Sequence, residues 1–356
     1  MMNHTATHIL NFGLRTVLKA DSDQRGSLVA PDRLRFDFTA KGALTVAQVK
    51  DVESVSQQQV TDDLVVYSRD TILSEAKSIN GLRAVFGETY PDPVTVVSIG
   101  ISVEDLLVDP NSQKGETVSV ELCGGTHVKR SSHIGDFVIT SEEAIAKGVR
   151  RIIAVTGQEA GNAIKSVDKL STQVEALEKA ITETKDPTFP KQITELNDAI
   201  SQSSIAYWKK DELRNRVNAL KTQLLKKEKE EAAASLTALM SRMQELGIQH
   251  KESAFVVEIV DAGSSSKNMD AALKSLRKLL PHTPVLFLST GPETVICAAS
   301  VPGAKGLKAN EWVNAINPLI GGKGGGKAEQ AQASGKKVDG VAEAAQLAKQ
   351  FAQSKL

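Results

Sequence analysis

Cys123-Gly124-Gly125-Thr126-His127, set against His4-Thr5-Ala6-Thr7-His8 at the start of the chain, decides how the remaining residues are read. Each stretch holds two soft or borderline metal donors spaced i, i+4. On a helix that spacing puts both side chains on one face, a turn apart. In the first stretch two glycines let the backbone fold tightly enough for Cys123 and His127 to converge. Three imidazoles and one thiolate make a tetrahedral donor set that suits Zn²⁺. The chain has six His and two Cys, so half of a scarce supply falls into two matched spacings. The alternative is a capped surface helix and an unrelated glycine turn.

Composition bounds the rest. A chain of 356 residues has room for two or three domains, and 41% hydrophobic with 24% charged residues is enough to bury a core. The formal net charge of zero excludes a global basic signal for nucleic acid and leaves only local patches. Cys123 and Cys297 stand far apart in sequence, which argues against a disulfide framework and for a reducing, cytoplasmic setting. No run of 18 apolar residues and no signal peptide point to a membrane.

Residues 3–20 read as an amphipathic helix with Asn3 as N-cap and Ile9, Leu10, Leu14, Val17 and Leu18 as its apolar stripe. His4 and His8 then sit at the positive pole of the helix dipole, which keeps imidazoles neutral and able to ligate. A polar, Asp-rich turn leads to Ser27–Val29 and the alternating Leu34–Phe38, a strand or edge hairpin with Leu34, Phe36 and Phe38 facing inward. A second helix is expected over 45–67. Strands are expected at Val94–Ile101, Thr117–Leu122, Phe137–Thr140 and Ile152–Val155, the last two flanking a short helix at 141–147 that Gly148 ends. Such mixing without a strict βαβ rhythm predicts an α+β two-layer domain over 1–157.

From 158 to 249 the pattern turns helical. Val167, Leu170, Val174, Leu177 and Ile181 follow a 3-4 spacing, and Leu213, Val217, Leu220 and Leu224 form a second run beyond Asp186-Pro187 and Pro190. This reads as an antiparallel coiled-coil hairpin. The mixed charge run at 226–231 is a solvated face. Strands at Phe255–Val260, Val285–Leu288 and Thr294–Ala299, with helices at 267–280, 309–319 and 340–353, make 250–356 a small α/β domain. Its Gly321–Lys327 run is not a Walker loop, because Ala328 follows Lys327 where Ser or Thr is needed.

NHTATHILN, GSLVAPDRLRFDF, SVELCGGTHV and GVRRIIAVTG, in this order, resemble the editing half of alanyl-tRNA synthetases, above all the eukaryotic cytoplasmic type. The likeness runs on through the helices into the Gly-rich C-terminal part. It implies a zinc-binding editing domain that hydrolyses the ester of seryl- or glycyl-tRNA made in error for alanine tRNA. His4, His8, Cys123 and His127 would hold the zinc, and Thr7 and Gln24 would shape the pocket. Serine exceeds alanine by one hydroxyl, which an apolar pocket rejects poorly, so a second site that hydrogen-bonds that hydroxyl is the physical solution. Thr7 adjoins His8, and Gln24 matches a pocket glutamine of the family. Their plain alternatives are a helix-surface threonine and a turn glutamine.

Arg150 and Arg151 could hold acceptor-end phosphates as guanidinium forks, or serve one in solvent and one in an ion pair. Lys323 and Lys327, with Gly324 and Gly325 between them, would meet the tRNA elbow in the family, or else form a flexible linker. His133 has no ligand spacing and reads as structural. A homodimer through the helical segment is implied as well. The family's aminoacylation domain and the β-rich part before the first histidine pair are absent from this sequence, so it is expected to be a fragment or a stand-alone editing protein with a less stable first domain. A non-catalytic, zinc-stabilised tRNA-binding or dimerisation piece is the alternative to an ester hydrolase.

Overall fold

The computed structural model describes residues 1–19, 22–85, 87–303 and 306–356. They form two compact units, Met1–Gln223 and Leu224–Leu356, so the helical segment at 158–249 is divided between them.

In the first unit the opening helix α1 (Met2–Leu18) ends at Lys19, whose left-handed backbone stops it. Residues 20 and 21, the end of the expected helix and part of the expected Asp-rich turn, lie outside the described residues. Asn3 is not the N-cap. It lies inside the helix and works as a clamp: Nδ2 donates to Ala30 O (2.8 Å) and Oδ1 accepts from Thr156 Oγ1 (2.7 Å). Strands β1 (Gln24–Val29) and β2 (Leu34–Thr39) form the hairpin, with Leu34, Phe36 and Phe38 buried. Helix α2 (Val46–Thr61) starts at a capping box between Thr45 and Gln48.

The second expected helix stops six residues early. Asp62 caps α2, Asp63 turns at a positive φ of 54°, and Val66–Thr71 becomes strand β3. Val65, Val66 and Tyr67 suit a pleated surface better than a helix. After α3 (Leu73–Ser78), β4 (Val94–Ile99) and α4 (Val103–Val108), β5 (Ser119–Leu122) completes an antiparallel sheet of order β3-β4-β5.

The helix expected at 141–147 does not exist. Strands β6 (Phe137–Ala146) and β7 (Val149–Thr156) pair through it, and the second sheet has the order β1-β2-β7-β6. Gly148, at φ 76°, is a hairpin glycine rather than a helix cap. Buried Glu142 is held by Arg150, which outweighs the helix propensity of Ser-Glu-Glu-Ala. A Cβ at Gly148 would meet no atom within 4 Å, so Gly148→Ala should cost only backbone strain. We expect about 1 kcal/mol lost in urea denaturation.

Helix α1 is the shared core element. Ile9, Leu10 and Leu14 are buried with Phe36, Phe38, Val49, Val52, Ile99, Ile139, Ile152 and Ala154, drawn from both sheets and α2. Each of the Val, Leu, Ile and Phe side chains contributes roughly 1.5–3 kcal/mol by leaving water. Helices α5 (Gly157–Glu183), α6 (Phe189–Gln202) and the start of α7 (Tyr207–Gln249) follow. Two helical runs were expected here, and three are present. Pro190 lies in the first turn of α6, where a missing N–H costs nothing, so it begins a helix rather than only ending one. Leu170, Val174, Leu177, Ile181, Ile193, Ile200, Leu213 and Val217 are buried. Arg216 grips Glu178 with two bonds, of 3.0 and 2.8 Å.

The second unit continues α7 into β8 (Val256–Ile259), α8 (Ser266–Leu279), β9 (Val285–Thr290), β10 (Val295–Ser300), α9 (Ala309–Ile320), β11 (Gly322–Gly326), β12 (Gln330–Gly335) and α10 (Val341–Lys355). The sheet order is β11-β12-β10-β9-β8, with β8 and β9 parallel across α8 and the other pairs antiparallel. The glycine run is therefore neither loop nor linker but an edge strand. Glycine fits because Cβ atoms at Gly324 and Gly326 would crowd Ala333 and Ala331 of β12. Among the described residues no helix is long and apolar enough to cross a membrane.

Candidate metal centre

The fold brings the two motifs together. His4 and His8 project from α1, while the loop that follows β5 carries Cys123 and His127. Their four donor atoms lie within 4.8 Å of one another. Cys123 Sγ is 3.4 Å from His4 Nε2, close to the roughly 3.5 Å edge that tetrahedral Zn–N and Zn–S bonds imply. The three rings crowd one another, with centroids 4.4 Å apart for His4 and His127, 4.7 Å for His8 and His127, and 5.5 Å for His4 and His8.

Several bonds hold this geometry. Ser119 Oγ donates to His8 O (3.2 Å), docking β5 on α1, and Cys123 N donates to Thr95 O (3.0 Å) on β4. Val128 N donates to Thr5 Oγ1 (3.1 Å), fastening the loop to the helix. Gly125 is required by packing, because a Cβ there would strike the His4 ring.

Electrostatics favours neutral imidazoles. Burial first, then the neighbouring rings of His127 and His4, hold His8 well below the ordinary imidazole pKa. Burial and then His4 bring His127 down to about 4. Burial pushes the Cys123 thiol up, a direction that a bound dication would reverse. His8 Nδ1 and His127 Nε2 are buried without hydrogen-bond partners. The unpartnered His127 Nε2, and His4 Nε2 beside the Cys123 thiol, fit a zinc ion, with His4, His8, Cys123 and His127 as the residues to hold it.

The other expected site residues fall in different places. Thr7 is buried and donates to His4 O (2.7 Å), one turn on from His4 and next to His8 in α1. Gln24 opens β1, and its Nε2 donates to Ser27 Oγ (3.2 Å). Arg150 makes two bonds to Glu142 (2.5 and 2.6 Å), and Arg151 two to Asp37 (2.7 and 2.9 Å). Both forks are thus already occupied by carboxylates. In the second unit Lys323, Gly324, Gly325 and Lys327 are all exposed on or beside the edge strand β11.

Three residues here escaped the sequence reading. Glu121, on β5, is buried two residues before Cys123. It accepts from Asn11 Nδ2 (2.8 Å) and lies 3.4 Å from His8 Nδ1. Burial raises its pKa to about 7 against the pull of Asn11, Arg15 and Arg83. Thr5 contacts His127 Nδ1 (3.2 Å). The i, i+2 spacing of Glu121 to Cys123 and the i, i+3 spacing of His8 to Asn11 were signals that could have found this pair.

Two family profiles match the chain. The second additional domain of threonyl and alanyl tRNA synthetases covers residues 94–153, and the DHHA1 domain covers residues 252–354. The chain is 49% identical to the cytoplasmic alanine–tRNA ligase of Bombyx mori, over 100% of this chain and 38% of that protein. It is 46% identical to that of Drosophila melanogaster, again over 100% and 38%. With that of Caenorhabditis elegans it shares 44%, over 99% and 37%. The chain thus spans less than two fifths of the length of these relatives.

Proposed function

We propose, from its full-length likeness to part of the alanine–tRNA ligases, that the chain is an aminoacyl-tRNA ester hydrolase that clears seryl- or glycyl-tRNA from alanine tRNA. The observation that carries this reading is the convergence of His4, His8, Cys123 and His127 beside an exposed Gly124–Thr126 loop. Zinc bound there would supply an electrophilic anchor for the substrate's aminoacyl group. The chain's own residues supply position. An aminoacyl ester is already labile, so placing a water and the carbonyl is sufficient catalysis. Thr7 Oγ1, fixed by donating to His4 O, keeps lone pairs that can accept a serine hydroxyl, a bond alanine cannot make. Gln24, the expected pocket glutamine at the start of β1, would offer a second polar contact to the same hydroxyl. The exposed cations Lys323 on β11 and Lys327 just beyond it would hold the tRNA backbone, whereas Arg150 and Arg151 would reach phosphate only by giving up Glu142 and Asp37.

The test is deacylation of seryl- against alanyl-tRNA, with zinc content measured on the same sample. We expect one zinc per chain and a serine preference of at least ~100-fold. A second reading rests on the same donor set. Four protein ligands close a tetrahedron, which is the signature of structural zinc. Under it the chain is a zinc-stabilised tRNA-binding module, and the sample would hold zinc, bind alanine tRNA and leave both esters intact.

A further inference from the structure

The zinc reading leaves open which nitrogen of each ring faces the metal, and the surroundings of the rings answer it. His4 Nδ1 lies 3.1 Å from Thr126 O. A carbonyl only accepts, so this nitrogen carries the proton and Nε2 keeps its lone pair beside Cys123 Sγ. Thr5 Oγ1 is 3.2 Å from His127 Nδ1, 3.1 Å from Val128 N and 3.4 Å from Met1 O. The hydroxyl is satisfied by donating to Met1 O and accepting from both nitrogens, which again leaves a lone pair on Nε2, the buried atom without a partner.

His8 is the most deeply buried of the three rings, and beside its Nδ1 stands a carboxylate, Glu121 Oε2, at 3.4 Å. That distance is just beyond a well-formed bond, and a few tenths of an ångström of ring movement closes it. Glu121 cannot swing away, because Asn11 Nδ2 holds its other oxygen at 2.8 Å. We propose that Glu121 is a positioning residue, which fixes the Nδ1-protonated tautomer of His8 and so presents Nε2 to the metal.

This inference rests on the zinc reading for its purpose but not for its test. The metal-free full chain, at mildly alkaline pH, is read by imidazole nitrogen NMR, and zinc affinity is read separately by competition with a chromophoric chelator. In the wild type the His8 signal should be that of an Nδ1–H ring. In Glu121→Leu it should move toward the Nε2–H form, with zinc affinity lower by ~10–100-fold. Glu121→Gln should recover most of the affinity, because its carbonyl can still accept from Nδ1–H while the Asn11 amide turns to accept from the new NH₂. An Nε2–H ring in the wild type overturns the proposal, whether or not the leucine variant folds. A folded leucine variant with unchanged tautomer and affinity overturns it too. A wild type with the Nδ1–H ring that takes up no zinc would instead defeat the zinc reading and leave the tautomer assignment standing.

Discussion

A His8→Ala chain should emerge without zinc and hydrolyse seryl-tRNA at least ~100-fold more slowly than the wild type, while keeping its helical content. The retained fold is part of the expectation. His8 lies at the metal end of α1, whereas Ile9, Leu10 and Leu14 anchor the helix among both sheets and α2. The sharper form of the same prediction removes no ligand at all. In Gly125→Ala the new Cβ meets the His4 ring, with Nδ1 only 2.8 Å away. The ring must turn off Thr126 O and away from Cys123 Sγ, so zinc affinity should fall ~10–100-fold. Chelator competition and circular dichroism on both variants decide the matter. If Gly125→Ala bound zinc as tightly as the wild type, the close packing of loop and ring would not be what sets the donor geometry.

That the four clustered donor residues were legible in the sequence while their buried neighbours were not has a physical cause. Ligand pairs announce themselves locally, since i, i+4 spacing survives in sequence whatever the tertiary fold. Buried partners such as Glu121 depend on which strand lies against α1, and that register is settled only by the sheet. The same contrast runs through the secondary structure. Helix α1 and strands β2, β4 and β9 carry apolar patterns strong enough to identify them. Strand β6 does not, because Ser141–Ala146 has the local preferences of a helix, and its extended form depends on β7 and on Arg150 meeting Glu142. Helix α6 was hidden by Pro190, which marks a helix start as readily as a stop. The glycine run is the clearest case. Composition alone suggests flexibility, yet β12 supplies small Ala331 and Ala333 opposite, and the two strands lie close only because neither brings bulk.

The last expected result separates folding from binding in the second unit. Trp312 is its largest fully buried side chain. It packs edge-on to Phe255, at 6.5 Å between centroids, and donates from Nε1 to Ala348 O at 2.8 Å. Trp312→Ala should therefore cost about 3–5 kcal/mol through the cavity it opens, and thermal denaturation should show the unit melting early. Trp312→Phe keeps most of the volume and forfeits one hydrogen bond, worth about 1 kcal/mol. Helix α9, which carries Trp312, leads directly into β11 through Gly321, so losing the tryptophan should also loosen the strand that presents Lys323 and Lys327. Affinity for alanine tRNA should then drop with stability. A Lys323→Ala, Lys327→Ala double variant should behave differently: its melting temperature stays, its affinity falls, and the slope of log affinity against log salt becomes shallower by about 1 per lysine. If the double variant bound tRNA with unchanged affinity and salt dependence, β11 would be a structural edge only, and the tRNA contact would have to be sought on another face of the chain.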